Sequence, residues 1–147
     1  MEKKIIGRKE KISIPEFDLN LVWAKVDTGA FTSSIHAENI RVVEKDGMKI
    51  LSFQVLMPDH KSYTGKTLVF DKFREKRVKN SFGHAETRYL IEVTFKLAGE
   101  KYLAEFTLSD RSSMRNAILL GRKILKNRFL VDVSGYNLAK IYRQKTK

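Results

Sequence analysis

The sequence predicts an all-β chain, a single closed or nearly closed β-barrel with one short helix after Gly121. Three observations carry that expectation. Seven or more short runs have strand patterning. Two of the turns between such runs have hairpin chemistry. Only one stretch, after an apolar run near the C-terminus, reads as helical.

Leu21-Val22-Trp23-Ala24-Lys25-Val26 reads as a strand buried at its end. Asp46-Gly47 lies between Arg41-Val42-Val43 and Leu51-Ser52-Phe53-Gln54-Val55, and Asp-Gly is a favoured two-residue hairpin turn. Residues 63–70 read as a further short strand. Residues 71–86 are polar and charged with little period, which suggests a long functional loop or a mobile excursion. Ile91, Val93, Phe95 and Leu97 alternate with polar residues, Ala98-Gly99-Glu100 turns, and Tyr102, Ala104, Phe106 and Leu108 alternate again. The apolar run Ala117-Ile118-Leu119-Leu120 reads as a buried strand that feeds a short basic helix over 121–127. Residues 129–133 form a last strand.

A length of 147 residues with two prolines and no Pro/Gly/Ser-rich linker argues for a single domain over 1–147. The lysine-rich ends, 1–12 and 140–147, are expected to fray. Apolar residues at 42% exclude a wholly disordered chain. No apolar run is long enough to span a membrane. Without cysteine there are no disulfides, thiolate nucleophiles or Cys-based zinc sites. That absence, and the lack of an apolar segment in Met1-Glu2-Lys3-Lys4-Ile5-Ile6-Gly7, lead us to expect a cytoplasmic protein. Lys plus Arg at 29 against Asp plus Glu at 17 gives a net charge of +12. Such a charge suits anionic partners, among them nucleic acid and acidic peptides, and equally serves solubility.

The sharpest local feature is Val26-Asp27-Thr28-Gly29-Ala30. A carboxylate directly after a buried strand is placed for acid–base work, and the glycine lets the backbone turn tightly. Asp, Thr and Gly are also ordinary turn residues, so the motif alone is weak. A second feature, Ile118-Leu119-Leu120-Gly121-Arg122, is a buried strand that ends in glycine before a helix.

Together these two motifs resemble the retropepsin-like aspartic peptidases. Longer segments resemble one bacterial branch, the family called ATP-dependent zinc proteases. They are Lys25-Val26-Asp27-Thr28-Gly29-Ala30-Phe31-Thr32-Ser33-Ser34-Ile35-His36-Ala37, Thr107-Leu108-Ser109-Asp110-Arg111-Ser112-Ser113-Met114-Arg115, Leu119-Leu120-Gly121-Arg122 and Phe129-Leu130-Val131-Asp132. That branch is discussed with ATP-grasp glutamate ligases that add glutamates to a ribosomal protein. The resemblance spans nearly the whole chain.

The resemblance implies an acid-protease barrel of six or seven strands with Asp27 as the catalytic carboxylate. Thr28, Gly29 and Ala30 would form the active-site loop, supported by Leu120, Gly121 and Arg122. An aspartic peptidase needs two carboxylates sharing one proton, and this chain offers one Asp-Thr-Gly. A homodimer would bring two copies of Asp27 together; in a monomer Asp132 or Asp110 would have to serve. Residues 77–91, with Arg77, Ser81, Gly83, Glu86 and Arg88 at branch-motif positions, form either a flap or a polar surface hairpin. Asp110, Arg111 and Arg115 would bind a substrate carboxylate or support the Asp27 loop, or Asp110 would simply pair within a turn.

The residues do not support the zinc in the family's name. His36, His60 and His84 share no short spacing, His-Glu-x-x-His is absent, and His36 reads as a polar residue ending a strand. Gly65-Lys66-Thr67 lacks the upstream glycine of a phosphate loop, so no ATP site is expected, and an ATP-grasp ligase becomes a candidate partner. The function expected is a retropepsin-like endopeptidase that hydrolyses peptide bonds of an acidic polypeptide by carboxylate-activated water. The alternative is an inactive barrel serving as a basic binding or regulatory module for an acidic protein or nucleic acid.

Overall fold

Alternation of apolar and polar residues makes each long strand one-sided, and the apolar sides close on a common core. The computed structural model describes residues 2–79 and 81–145. Its strands are β1 (Lys4–Gly7), β2 (Lys9–Ile14), β3 (Leu19–Val26), β4 (Ser33–Lys45), β5 (Met48–Val55) and β6 (Leu68–Phe70). They continue with β7 (Arg74–Lys79), β8 (Ala85–Leu97), β9 (Glu100–Ser109), β10 (Ile118–Leu120) and β11 (Phe129–Asp132). Two short helices, α1 (Arg122–Leu125) and α2 (Lys140–Lys145), complete the set.

Six strands form a closed circuit in the order β10-β3-β2-β8-β9-β4, because β10 pairs with both β3 and β4. Closure leaves those strands without free edges. Ile12, Ile14, Val22, Ala24, Ile35, Ile91, Val93, Phe95, Phe106 and Leu120 fill the interior, each at most 1% exposed. Phe95 meets Phe106 edge to face, with ring centroids 5.9 Å apart. Outside the circuit, β5 and β6 extend the sheet from β4, and β7 pairs with β8. The β5–β6 extension has its own aromatic cluster, in which Phe17 meets Phe53 at 6.1 Å and Phe53 meets Phe70 at 5.7 Å.

Both predicted hairpins form. Asp46 and Gly47 have φ of 53° and 78°, and Ala98 and Gly99 also have φ of 53° and 78°, the positive pair that a tight primed turn requires. The expected strand over 63–70 shrinks to Leu68–Phe70, because the chain before it is spent on turns. His60 N–H donates to Met57 O and Tyr63 N–H to His60 O, each at 2.9 Å. The stretch read as a loop or excursion over 71–86 contains a strand: Arg74–Lys79 pairs antiparallel with the start of β8, from Arg74↔Leu90 to Lys79↔Ala85. This ribbon is largely exposed, so its sequence carries no apolar period.

Of the lysine-rich ends, expected to fray, residues 4–12 and 140–145 are built into the fold, while 1, 146 and 147 lie outside the described residues. Lys4–Gly7 pairs in parallel with Phe129–Asp132, and Lys140–Lys145 is a second helix beyond the single one expected. A buried carboxylate joins the two ends. Glu10 is fully buried and accepts N–H bonds from Gly7 (2.7 Å), Leu138 (2.9 Å) and Ala139 (3.1 Å). Three backbone donors compensate a charge that would otherwise be costly to bury. Their contact is tight, since a Cβ on Gly7 would collide with the backbone of Gly135.

Candidate active site

β3 delivers Asp27 to the end of the barrel, and β10 fixes it there. Leu120 pairs with Val26 in parallel register, and Asp27 N–H donates to Leu120 O at 2.9 Å. The side chain is fixed in turn, because Asp27 Oδ1 accepts the Gly29 N–H at 2.9 Å. Ala30 N–H closes the turn on Asp27 O at 3.3 Å. Asp27 is half-buried, while Thr28 and Gly29 are exposed.

The loop and α1 support each other. The first turn of a helix has free N–H groups, which usually take a side-chain cap. Here Gly121 provides no side chain. Arg122 N–H donates to Ala30 O (2.8 Å) and Lys123 N–H to Phe31 O (3.0 Å), so the loop's carbonyls cap the helix. Arg122 Nη1 reaches Thr28 O at 3.1 Å, and Gly121 N–H donates to the buried Ser33 Oγ at 2.9 Å. Gly121 must be small: a Cβ there would lie 2.8 Å from Phe31 O and from Thr32 C and O.

Beside this loop is an open cleft of about 380 Å³. Its walls come from the loop (Ala30, Phe31), from the β7–β8 ribbon (Lys76, Val78, Arg88) and from the segment after β9 (Arg111, Met114). Asp27 is not on the lining, which begins three residues later at Ala30. The cleft is apolar at Phe31, Val78, Leu90 and Leu119 and cationic at Lys76, Arg88 and Arg111, with Asp110 as its one acid.

The residues of the flap motif are divided by the ribbon. Arg88 lines the cleft and is bound by Glu86 Oε1 at 2.8 Å, whereas Arg77 is exposed and donates to Thr87 Oγ1 at 2.8 Å. Ser81 and Gly83 lie in the exposed tip, where Gly83 takes φ of +80°. Arg115 is exposed on the segment after β9, outside the lining.

Arg111 comes close enough to Asp27 to feel its charge. Burial lowers the pKa of its guanidinium, and the Asp27 carboxylate opposes that shift. Its Nε donates to Asn116 O at 3.0 Å and its Nη1 to Ser34 Oγ at 3.3 Å. Both alternative partner carboxylates are engaged within their own turns. Asp110 Oδ1 takes the N–H and hydroxyl of Ser112 (2.9 and 2.6 Å), and Asp132 Oδ1 takes those of Ser134 (3.0 and 2.5 Å). These bonds hold both carboxyls below the usual carboxylate range.

His36 does not end a strand. It sits inside β4, 2% exposed, with both ring nitrogens engaged. The signal available in the sequence was its place in Ser33-Ser34-Ile35-His36-Ala37, where alternation gives way to continuous burial. Among the described residues, no group of three or more His, Asp or Glu is gathered to hold a metal ion. His36 is engaged by Glu38 and the Arg111 backbone, and His60 Nδ1 accepts the Ser62 N–H. Among the described residues, no helix is long and apolar enough to cross a membrane.

Residues 5–141 match the RimB-like family, described as retropepsin-like aspartic endopeptidase RimB. The chain belongs to this family. Curated relatives include a "Probable alpha-L-glutamate ligase" of Desulfotalea psychrophila, 41% identical over 88% of this chain and 28% of that protein. One of the same name from Shewanella pealeana is 37% identical over 90% of this chain and 29% of that protein. The chain thus spans less than a third of the length of these relatives. Among solved structures, Lpg0085 of Legionella pneumophila, a protein of unknown function, superposes with a TM-score of 0.72 at 27% identity. That match covers 94% of this chain and 99% of the other. A RimB-like chain with this barrel accounts for the pairing of an early Asp-Thr-Gly with a late Leu-Leu-Gly: the two strands are neighbours in register.

Proposed function

We propose that this RimB-like chain is an endopeptidase that cuts an acidic polypeptide, with Asp27 of two copies sharing one proton. The observation that carries the reading is the Asp27 loop itself, a carboxylate oriented by the Gly29 N–H and braced by α1 beside an open cleft. One ionised Asp27 takes a proton from water while the hydroxide attacks the scissile carbonyl. The protonated Asp27 of the second copy hydrogen-bonds the carbonyl oxygen and stabilises the charge that develops there. Collapse of the tetrahedral intermediate breaks the C–N bond, and the proton passes to the leaving amine. Lys76, Arg88 and Arg111 on the cleft lining favour an acidic substrate.

The names and lengths of the curated relatives support a glutamate ligase as a partner, because they match this chain over only part of their own length. Substituting Asp27→Asn tests the catalytic reading. Cleavage of a quenched-fluorescent, glutamate-rich peptide should fall by at least about 10³-fold while the fold is retained. Undiminished cleavage by that variant rejects it. The +12 charge favours a second reading, a binding module without hydrolysis. Tight, strongly salt-dependent capture of a glutamate-rich peptide with no cleavage in either form would favour that one.

A further inference from the structure

We propose that His36 is a positioning residue that acts on the Asp27 site through Arg111; as a role in catalysis, it rests on the peptidase reading above. The backbone that carries the ring is anchored first. His36 N–H donates to Ala117 O at 2.8 Å, its carbonyl accepts Leu56 N–H at 2.9 Å, and it stands opposite Ser109 in the β4–β9 ladder. One residue past the end of β9 the chain departs from the sheet. There His36 Nδ1 takes the N–H of Arg111 at 2.8 Å.

Partner chemistry fixes the form of the ring. A backbone N–H can only donate, so Nδ1 is the acceptor and carries no proton. Nε2 lies 2.8 Å from Glu38 Oε2, so it carries the hydrogen. Asp110 also faces the ring, with Oδ1 3.7 Å from Nδ1. The segment after β9 is folded on itself, with Ser112 bonded to Asp110 and Met114 N–H donating to Arg111 O at 2.8 Å. Two bonds attach its Arg111 to β4, one from the Arg111 backbone to the His36 ring and one from the guanidinium to the Ser34 hydroxyl. The ring thereby sets the position of a cation that lines the cleft and is coupled to the Asp27 carboxylate.

The test uses the full chain and two variants. His36→Asn keeps an acceptor oxygen near the Nδ1 position; His36→Leu removes it. In isotope-labelled protein, a scalar coupling across the N–H···N bond should link the Arg111 amide to His36 Nδ1. The Arg111 Nε–H resonance should stay protected in the unmodified chain and in His36→Asn, and be lost in His36→Leu. Cleavage of the glutamate-rich peptide should drop about tenfold in kcat/KM for His36→Leu and recover to within about threefold for His36→Asn.

A missing coupling, or an unchanged Arg111 Nε–H in a folded His36→Leu, overturns the proposal. So does full kcat/KM in that variant. If the unmodified chain cleaves nothing, the peptidase reading fails alone, because the resonance measurements still decide whether His36 places Arg111.

Discussion

Replacing Gly121 by alanine asks whether one missing methyl group holds the Asp27 loop in place. The backbone of Gly121, at φ −97° and ψ 178°, is open to alanine, so no conformational strain enters. The obstacle is steric. The new Cβ would stand 2.8 Å from Phe31 O and Thr32 C, whereas ordinary contact begins at 3.4 Å. The 31–32 backbone would have to retreat by about 0.6 Å (3.4 − 2.8) in a closely packed setting. That movement strains the bonds from Arg122 N–H to Ala30 O (2.8 Å) and from Lys123 N–H to Phe31 O (3.0 Å). Overpacking costs about 1–3 kcal/mol, and weakening two backbone bonds adds roughly 1 kcal/mol. The sum, about 2–4 kcal/mol, corresponds to a fall in Tm of roughly 5–12 °C for a chain of this size.

The assay is thermal unfolding by circular dichroism, paired with peptide cleavage. Because Asp27 shares the loop, kcat should also fall, by about 10²-fold for a displacement approaching 1 Å. Gly47→Ala is the control: nothing lies within 4 Å of its Cβ, and it sits at a distant hairpin tip with φ of +78°. It should cost about 1 kcal/mol of backbone strain and leave cleavage untouched. A Gly121→Ala protein with Tm within about 2 °C of the parent and full activity refutes the reasoning. The loop would then be compliant rather than braced.

Two further predictions concern the parts of the fold that surround the site. Glu10→Gln leaves a single acceptor oxygen and turns an amide group toward backbone donors that now bond to a carboxylate. Urea unfolding should show a loss of about 2–3 kcal/mol, and a loss below about 0.5 kcal/mol would contradict the staple between the two ends. The Tyr102 phenol is pushed up to about 12, first by burial and then by its bond to Glu100. Its folded pKa exceeds the ordinary value of 10.0, so its contribution is whole below pH 10 and disappears as pH rises through about 12. Tyr102 is only part-buried, and solvent screening limits the effect to roughly 1 kcal/mol. Tyr102→Phe should remove that part of the alkaline loss in stability. Tyrosinate absorbance and urea unfolding on either side of this window check both halves of the statement.

What the sequence determined by itself was local. The alternation over 91–108 and the Asp-Gly and Ala-Gly turns set hairpins, because period and turn chemistry act between near neighbours. Asp27-Thr28-Gly29 and Leu120-Gly121 were legible as a pair through their resemblance to a known family. The geometry gives the pairing a physical cause, since β10 lies in register with β3 and Gly121 leaves room for the loop. The ribbon of Arg74–Lys79 on the start of β8 was legible only as one alternative, a polar surface hairpin over 77–91. Its β7 strand is largely exposed, and an exposed strand carries no apolar period. The terminal lysines misled for a related reason. Their polar pattern hides that Ile6, Glu10 and Ile12 are buried, and Glu10 binds backbone more than a hundred residues away.

Only the tertiary structure decided which polar side chains meet. His36 and Arg111 are 75 positions apart in the chain, yet they share a bond of 2.8 Å. Arg122 reaches back 94 positions to Thr28. Contacts of this kind depend on strand order and closure, which one sequence does not encode as a periodic signal. The barrel joins β3, β4 and β10 at one end, and that junction turns a common turn tripeptide into a braced carboxylate beside a cationic cleft.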